Sequence, residues 1–220
     1  MIDVSEQINS VRRQVGSRTI EAGEARTVVV SQTYPAATED LWDACTNPER
    51  IPRWFSPVTG ELKLGGRYQV EGNAGGTVER CDPPKSFAAT WEFNGQTSWI
   101  EVRLTPEGDE RTRFELEHIA LVNDEGLAFW DLYGPGAVGL GWDLALIGLT
   151  LHFASGGEQV DPKAVEAWGM SEEGKRFISL ASEKWRDANV ESGFATPEGA
   201  QAAADRTTAF YTGAEAPQEG

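Results

Sequence analysis

Two histidines, two cysteines and one acid inside an apolar run are the side chains of this sequence that could do chemistry. His118 follows Phe114 and Leu116 on the apolar parity of a predicted strand. An imidazole there could act as acid or base. It reads better as a hydrogen-bonded core histidine, because catalysis needs a second converging polar group and none stands out. Asp143 is the one acid within GPGAVGLGWDLALIGLTLHFA, residues 134–154. It could hold a polar ligand group or serve as a base. Since an unpaired buried carboxylate is costly, it is expected to face solvent or to pair with an arginine of the sheet, Arg53 or Arg67. His152, late in the same run, is expected at a helix C-terminus, where a cation suits the dipole. Cys45 has no identifiable base beside it, so it and Cys81 read as reduced core residues. Two histidines without Cys or acid at ligand spacing give no metal motif. The glycines of LGG, GNAGG and GPGAVGLG lack the Lys-Ser/Thr of a phosphate loop. No cofactor is expected.

The elements that must position these groups fall in a clear order. Residues 1–25 place Val4, Ile8, Val11 and Val15 at helical spacing, a short amphipathic helix or a disordered segment. RTVVVSQTY reads as a strand with Val28, Val30, Gln32 and Tyr34 on one face. Thr38 is a candidate N-cap, with Glu39 and Asp40 in the first turn. A second short helix from Asn47 and Pro48 should be broken at Pro52. From Glu61 to Ile119 the period becomes two: ELKL, RYQVEG, TVERC, SFAATWEF and two longer strands, with glycine turns at Gly75 and Gly76. One wet and one dry face mark an antiparallel sheet packed on something apolar. The run 134–154 has apolar residues almost all round and reads as a buried helix. It is long enough for a membrane span, but Asp143 and His152 oppose that reading, and no basic cluster flanks it. Gly136, Gly139 and Gly141 should let its start lie close to the sheet. Residues 156–220 offer three helix starts, at Asp161, Ser171 and Thr196. Two stripes follow, Phe177, Ala181, Trp185, Ala188 and then Ala200, Ala203, Thr207, Phe210. The last eight or so residues should be disordered.

Composition narrows the partners. The formal net charge of -16 disfavours nucleic acid, which needs a basic surface, and anionic membranes. With no signal peptide visible and too few cysteines for a disulfide framework, a cytoplasmic protein is expected.

Strand, two helices, meander and long helix, in that order, resemble the SRPBCC (START/Bet v1-like) superfamily. Within it the chain resembles the Hsp90 ATPase activator homologue (AHSA1-like) family. The resemblance is carried by YPAATEDLWDACTNPERIPRWFSP, LGGRYQVEG, CDPPKSFAATWEF and GWDLALIGLTLHF, within residues 26–154. It implies an α+β helix-grip domain over 26–155, a curved seven-stranded antiparallel sheet around a long C-terminal helix, followed by a helical C-terminal extension. It also implies a cavity for an apolar molecule. Trp42, Trp54, Phe55, Tyr68, Trp91, Phe93, Phe114, His118, Trp130, Trp142 and Leu146 are the expected lining, though the aromatics could equally fill the core, and 121–136 could form a lid with Leu127, Phe129, Trp130, Leu132 and Tyr133 or be a plain packed loop. Fold alone does not fix function. Three readings stand: a non-enzymatic or weakly catalytic binder of a small hydrophobic or aromatic ligand, which is preferred; a cofactor-independent cyclase or dehydratase using His118, with Asp143 as a further candidate; and a chaperone-interaction module. The extension is expected to cap the body or to build a homodimer.

Overall fold

The computed structural model describes residues 2–214. In chain order these form α1 (Val4–Ser10), β1 (Arg12–Ile20), β2 (Gly23–Tyr34), α2 (Thr38–Thr46), a 3-10 turn (Ile51–Arg53), β3 (Val58–Gly60), β4 (Arg67–Val70), β5 (Gly75–Asp82), β6 (Ser86–Phe93), β7 (Gln96–Pro106), β8 (Thr112–Leu121), α3 (Asp124–Tyr133), α4 (Gly136–Ala154), α5 (Pro162–Gly169), α6 (Glu172–Glu191) and α7 (Pro197–Thr212). The strands make one eight-stranded sheet in the order β1-β2-β8-β7-β6-β5-β4-β3. Neighbours from β3 round to β8 pair antiparallel. The class is the α+β helix-grip arrangement, with one strand more than expected.

The additional strand is β1. Val4, Ile8 and Val11 are buried as a helical stripe, and Asp3 caps α1 by accepting from Glu6 N at 2.9 Å. The helix ends at Ser10, and from Arg12 burial alternates, as the β-branched Val15, Thr19 and Ile20 favour. Val15 suits both periods, and so short a window cannot separate them. Other local readings also shift. Thr38 opens α2 without capping it; its hydroxyl meets that of Thr112 at 3.1 Å instead. ELKL is not a strand, and Val58–Gly60 pairs with β4 in its place. Gly75 and Gly76 lie inside β5, where a Cβ on Gly76 would strike the Thr90 carbonyl. The second helix shrinks to Ile51–Arg53, with Pro52 in its first turn, where a missing N–H costs little.

The described residues form two compact units. The first holds the residues up to Val30, Leu121–Leu144 and those from Asp161 on; the second holds Ser31–Ala120 and Ala145–Val160. Helix α4 contributes its first half to one and its second half to the other. It is the one described helix long and apolar enough to cross a membrane, yet Asp143 and His152 are both fully buried in the fold.

In the first unit the three expected helix starts hold: Asp161, Ser171 and Thr196 accept from Lys163 N, Gly174 N and Gly199 N. Helix α6 packs on α1, β1, α5 and α7, and α7 packs on α3. Phe177, Ala181, Trp185 and Ala188 are buried, as are Ala200, Ala203 and Thr207. Phe210 is 73% exposed, because the stripe continues to Tyr211, one step later, whose hydroxyl donates to Ala137 O at 3.0 Å. Gly136 and Gly139 lie against Trp185 and Thr207, not against strands as expected, and a Cβ on Gly139 would overlap the Trp185 ring. The expected disordered end falls largely on residues 215–220, outside the described residues.

In the second unit Tyr34 donates from its hydroxyl to Leu146 O at 3.3 Å, and Gln32 Nε2 donates to Thr150 Oγ1 at 3.0 Å. These bonds fix residues 145–154 against the end of β2. A Cβ on Gly148 would collide with the Trp54 carbonyl, so this close approach requires glycine.

Candidate functional site

The register of β6, β7 and β8 builds one face of the second unit row by row. Phe87 lies opposite Val102, which lies opposite Leu116; Ala89 lies opposite Ile100, opposite His118; Trp91 lies opposite Ser98; and Leu104 lies opposite Phe114. Side chains alternate across a sheet, so these residues share a face. The aliphatic members, with Phe114, are buried. The larger rings behave differently. Trp42, Trp54, Phe55, Phe87 and Trp91 are all half-buried. Trp42 on α2 meets Phe87 edge-on at 6.1 Å between centroids, and Trp54 and Phe55 lie 5.5 Å apart. Trp54 is held by its indole N–H, which donates to Ala44 O at 2.9 Å.

Of the expected lining residues, nine belong to this unit: Trp42, Trp54, Phe55, Tyr68, Trp91, Phe93, Phe114, His118 and Leu146. Tyr68 is pinned by its hydroxyl to Thr90 O at 2.6 Å, and burial pushes its phenol upward. Leu146 is buried beside the Tyr34 hydroxyl. Phe93 departs from the expectation: it is 47% exposed at the end of β6, where the strand turns at Asn94 and Gly95. Trp130 and Trp142 belong to the first unit. Phe87 was missed, although its parity with Trp91 was legible.

His118 is 7% exposed, and burial pushes its imidazole down to about 4. The Ser98 hydroxyl donates to Trp91 O at 3.1 Å. Its oxygen therefore accepts from His118, whose Nε2 lies 2.9 Å away. The imidazole is neutral with its proton on Nε2, and Trp91 packs edge-on to it at 6.3 Å. The second polar group that sequence reasoning did not find is thus Ser98, set by strand register. It orients the ring and holds its proton. The ring is thus a buried, hydrogen-bonded histidine.

His152 lies in the last turn of α4, the helix end expected for it. Its Nε2 lies 3.2 Å from Arg50 Nη2, which can only donate, and its Nδ1 lies 2.9 Å from Glu158 O, which can only accept. These partners fix a neutral ring with the proton on Nδ1, where a cation at the helix end was anticipated. Arg50 reaches further to Asp40 at 2.6 Å and Asp43 at 3.1 Å, tying α2 to the end of α4. Burial pushes the Cys45 thiol up to about 12, which removes it as a nucleophile. Cys81 is exposed, not a core residue as expected, in the second half of β5, whose last four residues are all exposed.

Asp143, in the first unit, is paired with an arginine of the sheet, but with neither expected one. Arg53 donates to Gly157 O and Arg67 pairs with Glu92 at 2.9 Å. The partner is Arg13 of β1, whose Nη2 lies 2.7 Å from Oδ1. The Trp185 indole N–H donates to Oδ2 at 2.8 Å. Burial pushes the carboxyl up, and Arg13 and Trp185 oppose that push. Every contacting group is a donor, which the ionised form requires. Arg13 was invisible because the segment carrying it was read as helix. The pair joins three elements and leaves Asp143 no lone role as a base. Within the 121–136 segment, Asp124–Tyr133 form helix α3, none of whose residues is buried, docked on α7 through Thr207 Oγ1 donating to Tyr133 O at 2.7 Å, while Gly134–Gly136 are buried. Among the described residues no group of His, Cys, Asp and Glu is placed to hold a metal ion.

With this geometry in place, likeness to known proteins can be set beside it. A family model described as Activator of Hsp90 ATPase homolog 1-like protein matches residues 35–153. CalU16 from Micromonospora echinospora is similar in its crystal structure at 33% identity and a TM-score of 0.61, covering 81% of this chain and 98% of that one. In its solution structure the values are 34%, 0.65, 83% and 96%. That coverage exceeds the span of the family model, so the likeness takes in part of the flanking segments. MLL2253 from Mesorhizobium loti shares the fold at 24% identity and a TM-score of 0.51, covering 59% of this chain and 98% of that one. Among curated proteins, none matches.

Proposed function

The chain belongs to the Activator of Hsp90 ATPase homolog 1-like family, and on that premise we propose that its second unit binds a small hydrophobic or aromatic molecule on the aromatic face of the sheet, without catalysis. The observation that carries this reading is the half-burial of Trp42, Trp54, Phe55, Phe87 and Trp91 beside a fully buried aliphatic floor. Large rings contribute most when their whole area leaves water. A flat apolar ligand laid among them would complete that burial, as in small-molecule sites with mostly apolar walls and few polar groups. His118 spends its N–H on Ser98, so it is support for the floor. Both cysteines are free, in keeping with a cytoplasmic setting, which is part of the same proposal.

The test is titration of the purified protein with N-phenyl-1-naphthylamine, followed by fluorescence. Trp91→Ala and Trp42→Ala should each weaken binding by about tenfold, the value of roughly 1.4 kcal/mol, while His118→Ala should leave affinity nearly intact. Wild-type affinity in both tryptophan variants would sink the proposal. Native mass spectrometry of freshly prepared protein, with extraction of anything bound, would identify the natural ligand.

The family's description favours a second reading, contact with a chaperone through residues 35–153. Pull-down of Hsp90 that survives Ala89→Phe, which fills the face, would support that reading; its loss together with probe binding would count against it.

A further inference from the structure

Independently of the aromatic face, the first unit holds an unfinished cluster of hydrogen-bond donors. The Arg26 guanidinium lies between two rings, its Cζ 4.7 Å from the Trp130 centroid and 4.8 Å from that of Phe194. The two rings meet edge-on at 6.4 Å. Such stacking suits a guanidinium, which is weakly hydrated and planar. Because the two rings stand at 84° to each other, the planar guanidinium can lie parallel to one of them only, and its N–H groups still require acceptors. Arg26 Nη1 is buried with no hydrogen-bond partner, and so is Trp130 Nε1 in the ring stacked against it. Both atoms can only donate. Orphaned buried donors are rare in folded proteins and call for an occupant.

We propose that Arg26 and Trp130 form a receiving site for the oxyanion of a small molecule, a carboxylate or a phosphate oxygen that accepts from both donors at once. A donor-only pair rejects cations and neutral donors, and the guanidinium favours a charged acceptor over a neutral one. The surroundings fit entry. Helix α3, which carries Trp130, has no buried residue, and its C-terminal end is Gly134 at φ +64°, a conformation glycine adopts freely. It is held to α7 by Thr207 and by Arg206 Nη1 donating to Leu132 O. Asp131 is the neighbouring acid. It acts on Arg26 through space and opposes the downward push of burial on that side chain. It is the intramolecular competitor for the site.

The experiment uses the full-length, ¹⁵N-labelled protein and follows the Trp130 indole N–H by NMR, identified by its loss in Trp130→Phe. Sodium benzoate and inorganic phosphate are titrated separately at constant ionic strength, with sodium chloride as control. A saturable shift with benzoate alone assigns a carboxylate; one with phosphate as well assigns oxyanions of either source. Arg26→Gln should raise the dissociation constant by about tenfold or more, Arg26→Lys should fall between, and Asp131→Asn should tighten binding by removing the competitor. The proposal is overturned if neither anion moves the signal, if chloride moves it equally, or if Arg26→Lys, folded by its amide spectrum, titrates like the wild type.

Discussion

One buried polar group from each unit shows two ways of satisfying such a group. The first unit encloses a full charge pair, Asp143 and Arg13, with side chains 0% and 3% exposed, and locks it with the Trp185 indole. The second encloses a neutral imidazole and surrounds it with rings left half-covered. A buried ion pair ties strand, helix and extension into one geometry, and it tolerates no loss of a partner. A neutral histidine makes fewer demands, and the sheet around it can keep apolar surface in reserve for a ligand.

That contrast can be broken most sharply at Arg13. Arg13→Ala strands a buried carboxylate, and breaking such a pair costs about 3–5 kcal/mol. Urea unfolding should show the midpoint fall steeply, and a midpoint equal to the wild type would mean that the junction does not order the first unit. The next effect belongs to the second unit and to pH. Burial holds the His118 imidazole at about 4, below its ordinary 6.5, so the unfolded chain binds the proton more readily between those values. The stability contribution is complete above pH 6.5 and is lost as pH falls toward 4, about 3 kcal/mol at the limit. His118→Gln, which cannot titrate, should flatten that part of the pH-stability curve, and an unchanged slope would show that His118 is not its source. The smallest effect lies at the helix the units share. Gly139→Ala places a methyl in the Trp185 ring, and overpacking of this kind costs about 1–3 kcal/mol. A thermal melt that does not shift would show that Trp185 can move aside, and that the first unit is looser than its buried charges imply.

Much of this was legible in the chain. The period-two run through Phe87, Trp91, Ile100, Val102, Phe114 and His118 fixed which side chains share a face, because alternation along a strand is local geometry. The caps Asp161, Ser171 and Thr196 were legible for the same reason. β1 was not, since Val15 satisfies helix and strand spacing alike, and that one misreading hid Arg13 and with it the partner of Asp143. Phe93 and Phe210 were placed inward by parity and stripe, but a strand end and a helix end lie where the covering layer stops.

What the sequence determined alone is therefore the class of the fold and, for the strands from β4 to β8 and the helices α4, α6 and α7, their order and the face each presents. Hydrogen bonding and periodicity within a few residues settle those. Only the tertiary structure decided the partners: Arg13 and Trp185 for Asp143, Ser98 for His118, Arg50 for His152, and the stack of Arg26 between Trp130 and Phe194. Each joins residues from separate elements. Their charge, tautomer and burial follow from register and packing, which no local pattern encodes.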